Sequence, residues 1–338
     1  MRKLTIILLL VMLVFALAGA GLVAEQKKVV VGNKNFTEQY IVGQLMKQIL
    51  EDRGFKVELV SDLSTMALRE GMVAGDIDIA ADYTGTAWMV HLGHAYEPGI
   101  NNVELYNLVA QEELENGFIW HCPMWNNNTY ALASWPEFTE DPTTGVTRPP
   151  IKVPADLELP VDTLTELAAL YNANDGKILT FVDFEWSVRP DGYPAMCKHY
   201  GFEIDEAYIK TGAPGASLLG LAHREVDVAM VFGTDAAIAE YGWHVYIDDK
   251  SFFPPYDLTP YVSADIFAQY PEIAGILHEL VKSFPCGCEF PTDPAMLGEC
   301  VAEGQKVWQE LNKCVDIDKK EPDECAHEYL VEHGLIGG

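Results

Sequence analysis

Short apolar runs alternate with segments of helical periodicity along most of this chain. Runs at residues 28–31 and 56–60 have the length and the β-branched composition of buried strands, and each is followed by apolar residues at helical spacing. A third run at residues 77–81 is shorter and alternates with polar positions. Strand and helix patterns in this order are typical of parallel sheets with crossover helices, so we predict an α/β protein.

The alternation returns farther along the chain. Additional strands are expected at residues 129–133, 178–182, 208–211, 226–232 and 244–248. Additional helices are expected at residues 164–171, 194–200, 216–223, 271–284 and 296–311. The stretch at residues 135–159 is rich in proline and lacks periodicity, which predicts a long surface loop.

Two polar residues mark the predicted starts of the first helices. Asn35 is placed to cap the helix after the first strand, with Glu38 three residues later as its capping-box partner. Ser64 is placed to open the second helix, which is expected to run to about Ala74.

Two α/β units in a chain of 338 residues predict two lobes with a cleft between them. The first lobe is expected to contain residues 28–126 and 236–338, and the second lobe residues 127–235. A cysteine-rich extension of the first lobe is expected from about residue 285. Open parallel sheets bind ligands at the carboxyl ends of their strands, so the residues that follow each strand are the candidates for a site.

The N-terminus has the pattern of an export signal. Arg2 and Lys3 precede an apolar stretch at residues 4–18, and small residues follow at 18–20. We therefore assign residues 1–24 to a signal peptide, which predicts an extracytoplasmic or periplasmic protein; an uncleaved N-terminal anchor is the alternative. No cysteine lies near the predicted cleavage point, so lipid attachment is not supported.

The charge of the chain is strongly negative, with 22 basic residues, 51 acidic residues and a formal net charge of −29. Such a surface repels nucleic acid and anionic lipid headgroups, so we expect neither as a partner.

Seven cysteines in an exported chain predict disulfides. Five of them crowd the C-terminal region, at Cys286, Cys288, Cys300, Cys314 and Cys325. A metal site built on Cys286 and Cys288 is the alternative to structural cross-links, which we favour. The odd count leaves at least one thiol outside an intramolecular pair.

The residues after the predicted strands share one kind of chemistry. They include several aromatic rings, one lysine, one arginine and hydroxyl groups, with no histidine, no cysteine and no nucleophile beside a base. A trimethylammonium group donates no hydrogen bonds and is held against aromatic faces, whereas a carboxylate prefers Lys, Arg and hydroxyl donors. This inventory predicts a binding site for a zwitterionic betaine rather than an enzyme, and it implies no cofactor and no metal.

Five strings give the chain a specific resemblance. They are GNKNFTEQ (residues 32–39), DYTGT (82–86), NNTYAL (127–132), RPDGYP (189–194) and FFPPY (252–256). In their order and approximate spacing, over about residues 28–284, the chain resembles the glycine betaine/choline/carnitine-type substrate-binding proteins of osmoprotectant ABC transporters. The resemblance implies a bilobed periplasmic-binding-protein-like fold that captures a quaternary-ammonium compound and delivers it to a membrane permease.

The resemblance also implies roles for individual residues. The implied walls of an aromatic cage are Tyr83, Tyr130, Phe232 and Tyr256. The implied carboxylate-binding residues are Lys34, Thr86 and Arg189. Glu185 would position Arg189 through an ion pair across the cleft, and the backbone carbonyl near Asn128 would contact the methyl groups. Trp125 and Trp186 adjoin these motifs and are candidates to supplement a wall.

Two other functions remain open at this stage. The first is an extracytoplasmic ligand sensor with the same fold, and the second is an exported enzyme that uses Cys286 and Cys288. His91 and His94 have helical spacing but no third ligand nearby, so we interpret them as surface residues rather than metal ligands.

Overall fold

The computed structural model describes residues 26–136, 150–189, 191–213 and 215–337. The predicted signal peptide and most of the first half of the predicted loop lie outside the described residues. The described chain contains two five-stranded sheets with helices packed on their faces. No helix in these four ranges has both the length and the apolar character needed to cross a membrane.

The first sheet has the strand order β2-β1-β3-β10-β4. Its strands are β1 Lys28–Lys34, β2 Lys56–Leu63, β3 Ile79–Tyr83, β4 Phe118–Trp120 and β10 Leu258–Ser263. Its early helices are α1 Thr37–Asp52, α2 Thr65–Ala74 and α3 Asn102–Glu115. The first three strands are parallel, whereas β10 runs antiparallel to β3 and β4. The carboxyl ends of β1 and β3 therefore point to the same edge of the sheet.

The second sheet has the order β7-β6-β8-β5-β9. Its strands are β5 Tyr130–Ser134, β6 Thr180–Asp183, β7 Ile209–Gly212, β8 Val228–Phe232 and β9 His244–Val245. Its helices are α4 Leu164–Ala173, α5 Tyr193–Tyr200, α6 Ala216–Ala222 and α7 Ala236–Tyr241. Because β9 pairs with β5, this sheet extends beyond the boundary that the sequence analysis set at residue 235. The described parts of the predicted loop, residues 135–136 and 150–159, contain neither helix nor strand.

Four helices complete the chain on the first lobe. They are α8 Ala264–Gln269, α9 Glu272–Lys282, α10 Pro294–Asp316 and α11 Pro322–Glu332. Their packing includes three disulfides, Cys122–Cys288, Cys286–Cys300 and Cys314–Cys325. The prediction of structural cross-links is confirmed, because Cys286 and Cys288 belong to two different disulfides. Among the described residues, which include all seven cysteines, Cys197 is the one free cysteine, and it is buried.

The predicted capping box at Asn35 is wrong. Helix α1 begins at Thr37 with Phe36 at its N-cap position, and no side chain caps it. Strand β1 continues to Lys34, so Asn35 lies in the short connection between the strand and the helix, one residue before the N-cap position. The predicted start at Ser64 is confirmed, because the Ser64 hydroxyl accepts a hydrogen bond from the backbone N–H of Ala67.

The sequence analysis did not predict the helices α3, α7, α8 and α11 or the strands β4 and β10. Strand β10 matters most, because it lies inside the first sheet, paired with both β3 and β4. Its sequence contains Pro260, and a proline argues against a central strand because it cannot donate to the ladder. Here the carbonyl of Pro260 accepts from the backbone of His121, so this residue contributes through its acceptor.

Helix α10 passes very close to the segment that leaves the first lobe. A Cβ added to Gly304 would lie 2.2 Å from the carbonyl oxygen of Trp125, whereas a Cβ on Gly298 of the same helix would meet nothing within 4 Å. Gly304 therefore allows the helix to pack directly on the backbone of this segment.

We predict that Gly304→Ala lowers the free energy of unfolding by about 1–3 kcal/mol, because the added methyl forces two backbones apart. Gly298→Ala is the matched control and should raise it by about 0.5–1 kcal/mol, because alanine suits a helix interior better than glycine. Urea titrations of both variants measure the difference. Equal effects would show that α10 is not seated at Gly304.

Candidate functional site

The nine residues to which the resemblance gave a ligand-binding role line one small cavity between the two sheets. The cavity has a volume of about 30 Å³. Its predicted lining residues are Lys34, Tyr83, Thr86, Asn128, Tyr130, Glu185, Arg189, Phe232 and Tyr256. Four lining residues were not predicted, namely Asn35, Phe36, Thr65 and Asp183.

The first lobe contributes residues from its strand ends. Lys34 ends β1, Tyr83 ends β3, and Thr86 lies in the helical turn that follows. Gly85 allows this turn to approach the FFPPY segment, since a Cβ there would lie 2.8 Å from the carbonyl oxygen of Pro255. Tyr256 is therefore held against the DYTGT turn, just before β10.

The second lobe also contributes residues that lie at or just after the ends of its strands. Tyr130 begins β5, and Phe232 ends the neighbouring antiparallel strand β8 directly opposite it. Glu185 and Arg189 lie in the tight turn after β6. A Cβ on Gly192 would lie 2.0 Å from the carbonyl oxygen of Trp186, so the turn closes only with glycine at this position.

The aromatic rings form a continuous set with Tyr130 at its centre. The Tyr130 ring centroid lies 5.2 Å from that of Phe232 and 6.0 Å from that of Tyr256, whose ring is nearly perpendicular to it. Phe36 joins the set from the first lobe, 5.1 Å from Phe232 and 6.2 Å from Tyr83. Phe36 directly follows the Asn-Lys-Asn triplet of the first motif, and this position was the available signal for it.

The two tryptophans considered as extra walls lie behind the cavity or away from it. Trp186 is fully buried and stacks on Tyr130, with ring centroids 5.2 Å apart and planes 5° apart. Trp125 packs against Phe290 and Leu297 instead. Trp186 therefore supports a wall from the rear.

Lys34 is paired inside the first lobe. Its Nζ lies 2.5 Å from Oδ1 of Asp82 and 5.2 Å from the centroid of the Tyr83 ring. Burial favours the neutral form of Asp82, but Lys34 and His91 outweigh it, so the pKa of Asp82 is lower than its ordinary value. The interpretation of His91 as a surface residue is wrong: its side chain is fully buried 3.4 Å from Asp82, because the turn after β3 folds back over the strand ends.

Arg189 is paired inside the second lobe. Its guanidinium forms two hydrogen bonds to the carboxylate of Asp191, one of them 2.7 Å long from Nε, and a third of 3.1 Å to Glu185. Its Cζ lies 5.3 Å from the Tyr130 ring centroid. Burial alone would lower the pKa of Arg189, but Tyr130 and Asp191 raise it well above its ordinary value.

The predicted ion pair of Glu185 and Arg189 exists, but it does not cross the cleft, because both residues lie in the turn after β6. Glu185 makes a different contact across the cleft. Glu185 accepts a hydrogen bond of 3.3 Å from the backbone N–H of Thr65, at the start of α2. Asp191, two residues along the same turn, is the principal partner of Arg189.

Glu38 connects the two lobes from behind the rings. Its Oε1 accepts hydrogen bonds from the Tyr83 hydroxyl at 2.9 Å and from the Asn128 side-chain amide at 3.1 Å. The same amide donates to the Tyr83 hydroxyl at 3.1 Å. Burial raises the pKa of Glu38 to about 7. The sequence pattern suggested a capping role for Glu38 because it does not reveal that this face of α1 turns toward the cleft.

The cysteines offer no candidate for nucleophilic catalysis. Cys286 and Cys288, the basis of the alternative enzyme hypothesis, are both disulfide-bonded. Cys197 is a buried residue of α5, and burial raises the pKa of its thiol to about 12, which disfavours the reactive thiolate.

Comparison with known proteins agrees with this geometry. Residues 27–285 match the family described as the substrate binding domain of the ABC-type glycine betaine transport system. The chain belongs to this family. The family consists of extracytoplasmic solute-binding proteins rather than enzymes, and the resemblance seen in the five motifs is confirmed.

Individual relatives show the same pattern over nearly the whole chain. The chain is 28% identical over 321 residues to the glycine-betaine-binding protein of Pseudomonas aeruginosa, covering 95% of this chain and 92% of that protein. It is 27% identical over 314 residues to the carnitine transport binding protein OpuCC of Listeria monocytogenes, covering 91% and 87% of the two chains.

The fold is shared with solved members. A crystal structure of a glycine betaine/carnitine/choline ABC transporter superposes with a TM-score of 0.62 at 23% identity, covering 91% of this chain and 99% of that one. The expected bilobed periplasmic-binding-protein-like α/β fold is therefore confirmed.

We predict that Glu38→Gln flattens the pH dependence of stability. The native protein retains the Glu38 proton up to about pH 7, whereas the unfolded chain releases it near the ordinary value of 4.5. Its contribution is complete below about pH 4.5 and is lost as the pH rises toward 7, at a cost of at most about 3 kcal/mol. Glutamine keeps an acceptor for Tyr83 but has no proton to lose.

Urea titrations at pH 4.5, 6 and 7.5 measure this effect. Other buried carboxyls with raised pKa values contribute in the same direction to both proteins, namely Asp183, Asp235 and Asp257. Glu51→Gln, on the exposed part of the same helix, should keep the wild-type slope. If Glu38→Gln also kept the wild-type slope, Glu38 would not be protonated in the native protein.

Proposed function

We propose that this chain is the extracytoplasmic solute-binding subunit of an ABC importer. It captures a quaternary-ammonium compound, such as glycine betaine, carnitine or choline, between its lobes and delivers it to a membrane permease. One observation carries the proposal: aromatic rings from both lobes and two buried basic side chains converge on a single cavity. The family and the two relatives, one named for glycine betaine and one for carnitine, support this ligand class.

The rings suit the cationic end of such a ligand. A trimethylammonium group forms no hydrogen bonds, and each ring face attracts it by about 0.5–2 kcal/mol. Two of the faces already hold a cation in this structure, because Lys34 lies over Tyr83 and Arg189 lies over Tyr130. These contacts show that both ring faces attract positive charge in this structure.

The charged side chains around the cavity favour the cationic end of the ligand over its anionic end. Lys34 is neutralised by Asp82, and Arg189 is neutralised by Asp191. Glu185 adds a further carboxylate, and although burial opposes its ionisation, Lys34 and the hydrogen bond from Thr65 lower its pKa below the ordinary value. A ligand carboxylate at Lys34, Thr86 and Arg189 must therefore compete with Asp82 and Asp191 for the two basic side chains. A ligand ammonium instead meets a site with more negative than positive charges.

Ligand entry requires the lobes to separate. A cavity of about 30 Å³ holds about two water molecules, which is less than a quaternary amine needs. The hydrogen bonds that join the lobes around the cavity include those from Asn128 to Glu38, from Thr65 to Glu185 and from the Tyr256 hydroxyl to Asp191. Opening breaks these bonds, and closure around a ligand restores them, which is the change that a permease would sense.

The ligand class is tested by calorimetric titration of the purified protein with glycine betaine, carnitine and choline. We expect binding to at least one of them in the micromolar range, together with a change in tryptophan fluorescence. No response to any of these compounds would exclude the assignment.

Replacing a ring should weaken the complex according to the loss of its π face. We predict that Tyr130→Leu or Tyr83→Leu lowers affinity for the best ligand by about 2- to 30-fold, because the cation loses one aromatic face. Tyr130→Phe should retain most of the affinity. Phe252→Leu is the control, since Phe252 packs on His199 and Phe253 outside the cavity. An equal loss of affinity in the control would show that Tyr83 and Tyr130 contribute only to packing.

Arg189→Ala should change ligand preference as well as affinity. The variant removes one base and leaves Asp191 and Glu185 without it. Glycine betaine, which carries a carboxylate, should lose about tenfold or more in affinity. Choline should lose less, because the remaining acids attract its charge. The measurement is the ratio of the dissociation constants of glycine betaine and choline, and circular dichroism checks that the variant is folded. An unchanged ratio would show that Arg189 does not recognise the carboxylate.

A further inference from the structure

Two imidazoles flank one of the three disulfides, on the first lobe. His121 and Cys122 follow β4, where the chain leaves this lobe, and His278 and Cys288 lie on α9 and in the segment after it. The ligand atoms of these four residues all lie within 4.8 Å of one another. None of the four lines the ligand cavity. We propose that, once the Cys122–Cys288 disulfide is reduced, these four side chains form a tetrahedral zinc site.

The positions of the side chains already suit one ion. The Nδ1 atom of His278 lies 3.2 Å from the sulfur of Cys288. The centroids of the two imidazole rings are 5.8 Å apart, and the ring planes are inclined at 64° to each other. The Cα atoms of Cys122 and Cys288 are 5.2 Å apart, so two thiolates can bind one ion without large movement of the backbone.

His121 adds an independent observation. Its Nδ1 is buried and has no hydrogen-bond partner among the residues that the structure describes. A buried polar atom without a partner is unusual in a folded protein, and a bound ion would supply one. His278 is exposed, so an ion can reach the site from solvent.

The donor set selects the metal. Two thiolates and two imidazoles in tetrahedral arrangement are the ligands of a closed structural zinc site. Two thiolates neutralise the charge of Zn²⁺, so the occupied site carries no net charge. The carboxylates on the surface of the chain bind Zn²⁺ less tightly than this site would, because oxygen ligands suit harder cations better.

The oxidised protein cannot use these sulfurs, because each is bonded to the other. An external dithiol reduces the disulfide by exchange: the S–S bond breaks, two electrons pass to the protein sulfurs, and the dithiol becomes a disulfide. The protein then carries two thiols, and Zn²⁺ displaces both protons as it binds. The metal replaces the covalent link between the end of β4 and the segment after α9, so the same two parts of the lobe stay joined in both redox states.

The test is zinc uptake by the full-length chain before and after reduction. We expect one zinc per chain after treatment with a dithiol and removal of the reagent, and none before it. Substitution with Co²⁺ should give the intense visible absorption of a tetrahedral ion with thiolate ligands. The affinity for Zn²⁺, measured by competition with a coloured chelator, should fall at least about 100-fold in His121→Asn/His278→Asn, because two of the four ligands are lost.

Matched variants separate this site from other thiols. Reduction also opens the remaining disulfides, so Cys286→Ser/Cys300→Ser and Cys314→Ser/Cys325→Ser should each keep the uptake, whereas Cys122→Ser/Cys288→Ser should lose it. His327→Asn, beside another disulfide, should bind zinc like the wild type. Circular dichroism of each reduced variant confirms that it remains folded. Uptake that survives loss of Cys122 and Cys288, or of both histidines, would overturn the proposal, as would absence of uptake by the folded, reduced wild type.

Discussion

The site depends on two buried basic residues that are each neutralised by a carboxylate of their own lobe. Lys34 pairs with Asp82 at the ends of two adjacent parallel strands, and Arg189 pairs with Asp191 in a single turn. Burying an unpaired charge costs several kcal/mol, so neither base could lie under the aromatic rings without its partner. The pairs thus allow charged groups to lie in an apolar cleft.

This arrangement also explains how the lobes are held. Lys34 and Arg189 are each paired within their own lobe, so the cleft is closed mainly by hydrogen bonds, such as the one from Asn128 to Glu38. Such bonds contribute about 1 kcal/mol each and exchange readily with water. A ligand that adds contacts with both lobes can therefore shift the balance between open and closed forms.

The C-terminal region holds the framework on which the cleft is built. Helix α10 packs on the backbone at Trp125 through Gly304, and its side chains Gln305 and Asn312 donate to carbonyls of Gly233 and Thr234 in the second lobe. Two of the three disulfides join this region to itself, and the third joins it to the end of β4. The family match ends at residue 285, so most of this bracing lies beyond it.

The sequence by itself determined the α/β class, most of the strands, and the aromatic and basic residues that converge on the cavity. Strand periodicity and strand ends are local properties, and the rule that ligands bind at carboxyl ends then selects residues such as Tyr83 and Phe232 without any tertiary information. Tertiary structure decided the partners: that Lys34 meets Asp82, that Glu185 reaches Thr65 instead of placing Arg189 across the cleft, and that Glu38 turns inward instead of capping a helix. Those choices depend on which surfaces are removed from water when two lobes meet, and burial of this kind is a property of distant segments that no local pattern encodes.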